Sequence, residues 1–377
     1  MNVSKGYSKA AASLLLMLFV AGLLVGGLAI FFVTLNQTSD LEGQISSLQD
    51  QVSATYGFQN ATYQNITIYQ NSTSLADIYQ NVKDSVVLIQ GRTGDGIVQG
   101  SGFVYSYSGR NVVITNYHVV QDTSDLSVTF SNGNGYSATV LGTDPYADLA
   151  VVSVNAPANE FKPVDIASSS TLRVGEQVIA IGNPYGLVGS LTTGVVSAVG
   201  RTMTEDTAGG FSIANIIQTS TPINPGNSGG PLLNAAGNVI GVTTAIVSDS
   251  QGLGFAVPSN TILREIYALI TTGTYRGHSY LGVTGQDMSY GLAQQIGANV
   301  TYGWRISSIT SGGPSDGKLT VDDIIIAMNN VKIKNNDDLA SYLEENTLPG
   351  QSLDLTVVRD SQTRDITVVL GTRPSPT

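Results

Sequence analysis

Cysteine is absent from this chain, and its 377 residues include only two histidines. The absence of thiols excludes disulfide bonds, thiolate nucleophiles and cysteine-ligated metals. The two histidines, His118 and His278, are too few for the multi-histidine centres in which zinc is commonly held. We therefore expect no metal centre, and a catalytic imidazole has to come from one of these two side chains.

Charged residues are also sparse, at 12% of the chain, and they sum to a net charge of −11. No basic cluster is present to bind a phosphate backbone, which argues against nucleic-acid binding. Glycine is abundant, with 42 residues, and Val, Thr, Ser and Tyr recur in short runs. This composition favours β-structure with many tight turns, and the length predicts two or three domains of roughly 150 residues.

An uncharged, apolar run covers residues 11–33. As a helix it would be about 35 Å long, enough to cross a bilayer core of ~30 Å. It is longer than the apolar part of a cleaved signal peptide and is not followed by an Ala-x-Ala pattern, so residues 1–34 are predicted to be a cytoplasmic tail and a single-pass membrane anchor. Lys5 and Lys9 precede the run, and the positive-inside bias then places the N-terminus in the cytoplasm and the rest of the chain outside.

Residues 35–75 are predicted to be an external stalk or linker. Spacings of 4, 3 and 4 residues mark one helical face, formed by Leu41, Ile45, Leu48 and Val52. The face is only about two heptads long, so a short coiled coil and an isolated amphipathic segment are both open interpretations. Sequons for glycosylation begin at Asn36, Asn60, Asn65 and Asn71.

Short apolar runs bounded by Gly, Asn, Asp and Ser dominate the chain from residue 76 onward, for example at 85–89, 111–115 and 150–154. Short strands at regular spacing, with turn signals between them, predict a β-sandwich or β-barrel. A helix is predicted over 259–270 from an apolar stripe that contains Leu263, Ile266, Tyr267 and Ile270.

Gly273 and Gly277 mark a linker after this helix, and His278 directly follows it. We therefore expect a first domain over residues 76–275 and a separate domain over 276–373. The second domain is predicted to combine strands with two helices, the later one over 337–345.

The segment 226–231, Gly-Asn-Ser-Gly-Gly-Pro, carries the sharpest local signal in the chain. A serine among glycines allows a sharp bend of the backbone and leaves its hydroxyl open to a substrate. Successive N–H groups of such a bend can point at one developing oxyanion. Taken alone, the segment fits a glycine-rich turn equally well.

A serine hydroxyl is a weak nucleophile at neutral pH, so it needs a general base, and the base needs an orienting acid. His118 stands at the end of an apolar strand, in a chain that barely uses histidine. Asp148 directly precedes another apolar strand, where a buried carboxylate requires a partner. Asp144 is the competing acid, but its proline-containing turn predicts a solvated carboxylate.

The pattern Gly-x-Ser-x-Gly at 226–230 also fits the nucleophile elbow of α/β-hydrolases. Those enzymes place serine first, then the acid, then histidine, which would make His278 the base. The order His118, Asp148, Ser228 on a β-rich chain is that of chymotrypsin-like barrels. An α/β-hydrolase acting on small esters stays as the alternative.

Five blocks together resemble the signature sequences of HtrA/Deg serine proteases; they lie at 115–119, 148–151, 181–187, 223–232 and 252–260. The resemblance covers residues 76–373. It implies a mainly β fold, with two six-stranded chymotrypsin-like barrels and the triad His118, Asp148 and Ser228 in the cleft between them. It also implies a C-terminal PDZ domain of the α+β class.

The resemblance implies further site residues. The N–H groups of Gly226 and Ser228, with Asn227, would form the oxyanion hole. A primary specificity pocket for small or medium aliphatic residues would be lined by Ile223, Ile246 and Val247. No cofactor is implied, a homotrimer is expected, and loops around 184–190, 201–212, 221–227 and 246–253 would switch between ordered and disordered states. Ser220 departs from the family, which often has Asp there.

Tyr280, Leu281, Gly282 and Val283 resemble the carboxylate-binding loop of a PDZ domain, whose N–H groups would hold a peptide C-terminus. A small α/β domain that only packs on the protease is the alternative for this unit, and the turn at 311–318 is shortened relative to the family. The resemblance implies a protein quality-control endopeptidase that degrades unfolded polypeptides. A catalytically quiet chaperone or peptide-binding module is the competing hypothesis.

The predicted topology is testable on intact cells or spheroplasts. If residues 11–33 anchor the chain with its N-terminus inside, added protease should digest the C-terminal domain without permeabilisation. Protection of that domain until the membrane is opened would contradict the orientation. A mature chain that starts near residue 35 would instead identify residues 11–33 as part of a signal peptide.

Overall fold

The computed structural model describes residues 74–94, 96–183, 189–205, 211–244 and 253–374, with isolated positions between 17 and 47. The predicted anchor, apart from Met17, and most of the predicted stalk lie outside the described residues. Within the described positions, no helix combines the length and the apolar character needed to span a bilayer. Contacts divide the chain into a unit Met1–Ser72 and a unit Thr73–Thr377. The barrels, sheets and helices that follow belong to the second unit.

Helix α1, Leu75–Val82, precedes a first barrel of six antiparallel strands. These strands are β1 Val86–Thr93, β2 Gly96–Tyr107, β3 Arg110–Thr115, β4 Ser124–Thr129, β5 Gly135–Asp144 and β6 Leu149–Val154. The barrel closes in the spatial order β1-β2-β3-β6-β5-β4. A single helical turn, α2 Tyr117–Val120, follows β3 and carries His118.

The second barrel is also antiparallel and closed. Its strands are β7 Gln177–Gly182, β8 Ser190–Glu205, β9 Phe211–Thr219, β10 Pro231–Leu233, β11 Val239–Thr244 and β12 Gly254–Pro258. Their spatial order is β10-β11-β12-β9-β8-β7. The prediction of a mainly β chain with two six-stranded barrels is therefore confirmed.

Successive side chains along the strands fill two different apolar layers, because a strand directs them to opposite faces. Val113 packs inside the first barrel, whereas Ile114 joins a cluster to which both barrels contribute. In the second barrel, Ala180 packs inside the barrel, whereas Ile181 joins the shared cluster. None of these four side chains is more than 1% exposed. Burial on both faces explains why the runs are continuously apolar, and it packs the two barrels against each other.

Helix α3, Ser259–Thr271, confirms the predicted helix but not its buried face. Ile262, Ile266 and Leu269 are the apolar side chains buried on this helix, whereas Leu263 is 43% and Tyr267 63% exposed. The helical period allows more than one apolar stripe along this segment. The stripe that is buried is the one whose side chains pack with residues of the barrels.

The C-terminal region forms a smaller α+β domain. Its elements are β13 Ser279–Tyr280, β14 Val283–Asp287, α4 Tyr290–Ile296, β15 Trp304–Ile309, β16 Ile324–Met328, β17 Val331–Lys332, α5 Asn336–Asn346, β18 Ser352–Arg359, β19 Gln362–Val369 and β20 Gly371–Thr372. Strands β14, β15, β16, β18 and β19 lie in that order in one sheet, with β17 paired to β16. Helix α5 contains the whole of the predicted helix over 337–345.

A buried ionic network joins this domain to the first barrel, which corrects one expectation. Asp144, predicted to be solvated, is 2% exposed, and His278, which directly follows the predicted linker, is 3% exposed. The His278 Nε2 atom lies 2.6 Å from Asp144 Oδ2, and Nδ1 lies 3.1 Å from Glu344 Oε2 on α5. Arg264 of α3 pairs with both Glu265 and Glu344. The turn sequence alone could not show a partner 134 residues away.

The charges of this network shift the pKa values of its members. Burial alone would lower the pKa of His278, but its hydrogen bonds to Asp144 and Glu344 outweigh burial and raise that pKa to about 10. Burial would raise the pKa of Glu344, but His278 and Arg264 lower it to about 2. Burial, followed by the nearby charge of Asp144, raises the pKa of Glu265 well above its ordinary value. His278 is therefore a cation and Glu344 an anion at neutral pH.

The network predicts that the domain junction weakens at alkaline pH. The pKa of His278 is about 10 in the fold and roughly 6.5 in an unfolded chain. Its stabilising contribution is therefore complete below pH ~6.5 and is lost as the pH rises toward 10. We expect His278→Gln to cost on the order of a few kcal/mol of unfolding free energy at pH 6 and much less at pH 10. Denaturant titration of both proteins at the two pH values measures this difference, in which the titration of groups outside the network cancels. An equal cost at pH 6 and pH 10 would contradict the assignment.

Candidate active site

His118 and Asp148 meet at the edge of the first barrel. The His118 Nδ1 atom lies 3.0 Å from Oδ1 and 2.9 Å from Oδ2 of Asp148. The backbone N–H of His118 also donates to Asp148 Oδ1, at 3.1 Å. An ionised carboxylate only accepts hydrogen bonds, so this contact favours the tautomer in which Nδ1 carries a proton and Nε2 is the basic nitrogen.

The Asp148 carboxylate is fully buried and is held from both barrels. The hydroxyl of Thr244, on β11 of the second barrel, donates to Asp148 Oδ2 at 3.0 Å. The side-chain amide of Asn116 donates to the Asp148 carbonyl oxygen at 2.9 Å. Asp148 has a positive φ of 50°, a conformation that asparagine and aspartate adopt more readily than most residues. Sequence reasoning did not single out Thr244 or Asn116, because a hydroxyl or amide near a strand end has no distinctive pattern.

Ser228 lies in the loop that leads into β10 and is 5% exposed. Its carbonyl oxygen accepts the N–H of Ser101, on β2 of the first barrel, at 2.8 Å. A Cβ placed on Gly100 would lie 2.7 Å from Val119 and 3.2 Å from the Ser228 carbonyl oxygen. The absence of a side chain at Gly100 therefore allows the serine loop to lie close to α2, the helical turn that carries His118.

The glycines that follow Ser228 are required by close packing of backbone. Gly229 has a φ of +87°, and a Cβ there would clash with the Ser101 carbonyl oxygen and the Thr115 hydroxyl. A Cβ on Gly230 would lie 2.5 Å from the Ile181 carbonyl oxygen. The glycine-rich segment is thus fitted between the two barrels, which an ordinary surface turn would not require.

The N–H groups of the expected oxyanion-hole residues differ in their contacts. Gly226 has a φ of +99°, and none of the hydrogen bonds recorded between described residues uses its N–H. The N–H of Asn227 donates to the Asn224 carbonyl at 2.9 Å, within the turn itself. The Asn227 N–H is therefore directed into the turn, whereas Gly226 and Ser228 remain the expected donors.

Of the three residues expected to line the specificity pocket, only Ile223 lies among the described residues. Ile223 is partly buried and packs with the core of the second barrel. A Cβ on Gly254 would lie 2.8 Å from Ile223 Cγ1, so β12 passes close to this side chain. Ile246 and Val247 lie outside the described residues, as do parts of the loops predicted to switch. Ser220, where the family often has Asp, accepts the N–H of Val195 at 3.0 Å.

The expected carboxylate loop lines a cavity of about 170 Å³ beside α5. Tyr280, Leu281, Gly282 and Val283 line it together with residues of α5, among them Leu339 and Leu343. Gly282 has a φ of +76°, and its carbonyl accepts the Thr310 N–H at 2.9 Å. Strand β14 pairs with β15 along one edge. The loop, β14 and α5 thus border one groove.

A metal site is the alternative use of the buried network. Within the described part of the chain, one group of three potential ligands, Asp144, Glu265 and His278, places its donor atoms within 4.8 Å of one another. His278 and Asp144 pair directly, however, and Glu265 pairs with Arg264 at 2.6 Å. The protein's own cations, His278 and Arg264, thus already contact these carboxyl groups.

The nucleophile-elbow alternative is wrong. Ser228 leads into a strand of a closed antiparallel barrel, whereas the elbow needs a parallel α/β sheet. The base that this alternative requires, His278, has both ring nitrogens paired with Asp144 and Glu344.

Comparison with known proteins agrees with this architecture. Residues 100–242 match the family described as "Trypsin-like peptidase domain", and residues 279–370 match the PDZ domain family. A "Probable periplasmic serine endoprotease DegP-like" of Chlamydia trachomatis is 38% identical over 282 residues, which is 74% of this chain and 55% of that protein. "Protease Do-like 1, chloroplastic" of Arabidopsis thaliana is 36% identical over 73% of this chain and 64% of its own length. The chain thus spans little more than half the length of the chlamydial relative.

Solved structures give the same result. The structure "HtrA-type protease AlgW with tripeptide" superposes with a TM-score of 0.66 at 30% identity, over 81% of this chain and 99% of its own. The serine endoprotease from Yersinia pestis superposes with a TM-score of 0.58 at 27% identity, over 80% of this chain. The expected resemblance is therefore confirmed, and this chain belongs to the HtrA/Deg family of trypsin-like serine proteases with a PDZ domain.

Proposed function

We propose that this protein is a serine endopeptidase that degrades unfolded or damaged polypeptides. The observation that carries the proposal is the buried Asp148 carboxylate on His118 Nδ1, at 2.9 Å, beside a serine loop that is packed against the helix of that histidine. Family membership supports the same reaction class, since the relatives are named serine endoproteases.

In the proposed mechanism Ser228 Oγ attacks the scissile carbonyl carbon, and His118 Nε2 takes the hydroxyl proton. Asp148 holds the imidazole in the correct tautomer and stabilises the imidazolium that forms. The N–H groups of Gly226 and Ser228 stabilise the negative oxygen of the tetrahedral intermediate. His118 then gives its proton to the leaving amine. Water attacks the acyl-enzyme by the same route and releases Ser228.

The proposed specificity pocket consists of Ile223, Ile246 and Val247. Apolar side chains of this size favour small or medium aliphatic residues at the cleavage site. The neighbourhood of Ile223 supports this arrangement, because Gly254 allows β12 to approach it without an intervening side chain.

We propose that the PDZ groove binds peptide C-termini. A peptide would add to the sheet as a strand along β14, and the N–H groups of the loop Tyr280 to Val283 would bind its carboxylate. The lined groove beside α5 supports this assignment. Neighbouring HtrA-type structures are described as containing a tripeptide or a decapeptide, which is consistent with peptide recognition.

We propose that the protein acts on the outer face of a membrane, as a homotrimer anchored by residues 11–33. The uncharged run and the lysines before it support the anchor. The periplasmic location in the name of the chlamydial relative supports the side of the membrane. The trimer rests on the family resemblance.

The nucleophile can be tested by replacing it. Ser228→Ala is expected to keep the fold and lower the turnover of casein by ~10⁶, the scale seen when a triad serine is removed. Circular dichroism provides the folding control. A variant that keeps a tenth of wild-type proteolysis would contradict the assignment.

A wild-type protein that cleaves nothing but suppresses aggregation would favour the chaperone hypothesis instead.

The groove can be tested with peptides that end in an apolar residue. We expect the free-acid form to bind and to change the rate of casein cleavage, and amidation of the terminus to weaken binding because the carboxylate charge is lost. Tenfold activation corresponds to a coupling free energy of about 1.4 kcal/mol. Calorimetry on Ser228→Ala measures binding without cleavage. Equal affinities for the two forms would refute the carboxylate loop. Removal of the whole domain is not a clean control, because it would leave Asp144 without His278 and Arg264 without Glu344.

A further inference from the structure

Two buried hydroxyl groups outside the proposed triad contact the carbonyl groups of the serine loop. Ser101, on β2 of the first barrel, is fully buried. Its hydroxyl donates to the Gly226 carbonyl oxygen at 2.6 Å and accepts the N–H of Asn183 at 2.8 Å. Its own carbonyl accepts the Thr115 hydroxyl at 2.7 Å. Both the hydroxyl and the carbonyl group of Ser101 are thus held by hydrogen bonds.

Thr243, on β11 of the second barrel, is the other buried hydroxyl. It donates to the Asn227 carbonyl oxygen at 2.6 Å, and that oxygen also accepts the Gly230 N–H at 2.9 Å. The Thr243 backbone is itself anchored to the loop, because its N–H donates to Gly230 and its carbonyl accepts from Gly229, both at 2.8 Å.

Peptide geometry connects these contacts with the oxyanion hole. In a trans peptide unit the C=O and N–H groups point in opposite directions, and the unit is rigid. The unit that contains the Asn227 carbonyl also contains the Ser228 N–H. When Thr243 and Gly230 hold that carbonyl, they direct the Ser228 N–H to the opposite side. The preceding unit is fixed at both ends, by Ser101 at the Gly226 carbonyl and by Asn224 at the Asn227 N–H.

We propose that Ser101 and Thr243 are positioning residues for the oxyanion hole, which hold two consecutive peptide units so that the Ser228 N–H points at the reacting carbonyl. This inference rests on the proposed function. Neither hydroxyl touches the substrate, and each acts through the backbone that it binds. Loss of either donor leaves a buried carbonyl with fewer partners and allows its peptide unit to rotate, so the oxyanion donor loses its fixed direction.

The adjacent residues of β11 have separate tasks in this arrangement. Thr243 binds the serine loop, whereas Thr244 donates to Asp148. A substitution at Thr243 should therefore affect transition-state stabilisation but not the protonation of His118. A loss of transition-state stabilisation with unchanged protonation of His118 would therefore distinguish a positioning role from a merely structural one.

The test uses Thr243→Val and Ser101→Ala, which remove a donor with little change of shape. Thr243→Ser keeps the hydroxyl and should retain wild-type turnover. Ser259→Ala is the matched control, because Ser259 is equally buried and also donates to a carbonyl, that of Ala167, at 2.6 Å. Removal of an oxyanion donor itself costs ~10²–10³ in kcat. For loss of its positioning we expect kcat on a peptide substrate to fall about 10- to 100-fold with KM nearly unchanged, or roughly 1.4–2.7 kcal/mol.

Two further readouts separate positioning from general damage. The affinity of a peptide boronic acid, whose adduct with Ser228 places an oxygen in the oxyanion hole, should fall in parallel with kcat. The pKa in the pH profile of kcat/KM, which reports the free enzyme's base, should stay at its wild-type value. Thermal unfolding shows whether each variant is folded, and Ser259→Ala should lose stability without losing kcat. If Thr243→Val does not fold, Ser101→Ala is judged by the same readouts.

Wild-type kcat in a folded Thr243→Val or Ser101→Ala protein would overturn the inference. So would an equal loss of kcat in Ser259→Ala, or a changed pKa in the pH profile, which would place the effect at His118 and Asp148. Failure of the proposed function is a separate result, since it would appear as absent wild-type proteolysis or as an active Ser228→Ala protein.

Discussion

The packing of the two β-barrels against each other is the constraint on which the rest of the protease site depends. Asp148 belongs to the first barrel but accepts a hydrogen bond from Thr244 of the second. Ser228 belongs to the second, and its carbonyl accepts the N–H of Ser101 of the first. A change in the relative position of the barrels would disturb both contacts together. The shared apolar cluster that includes Ile114 and Ile181 therefore stabilises the fold and the geometry of the site at once.

Local patterns were sufficient to predict the strands, the long helix and the three candidate catalytic residues. Strand propensity and turn residues act within a few positions of the chain, and scarce histidine left few candidates for a base. The resemblance to a family supplied the double barrel. Contacts between distant residues were beyond such patterns, because the hydroxyls of Ser101 and Thr243 have no distinctive neighbours. The wrong prediction for Asp144 has the same cause, since its partner His278 is 134 residues away.

The buried network at the domain junction is unusual in a chain with few charged residues. Burial of charges is costly, and an ion pair of this kind commonly adds less stability than apolar side chains of the same volume would. Its geometry is demanding, however, because His278 has to reach Asp144 and Glu344 together. We infer that the network determines how the PDZ domain is oriented on the barrel. Helix α5 contributes Glu344 and also lines the proposed peptide groove, so groove and junction share one helix.

The serine loop shows why the site combines glycines with buried hydroxyls. Gly229 and Gly230 allow backbone from both barrels to approach the loop, so that its carbonyl groups are enclosed by neighbouring backbone. Buried carbonyls need donors, and Ser101 and Thr243 provide them without adding bulk. The proposed oxyanion donors are backbone groups, so we infer that their direction depends on these carbonyl contacts. On the proposed mechanism, residues that line the specificity pocket can therefore vary with the substrate, whereas this frame of glycines and hydroxyls has to be kept for the chemistry to work.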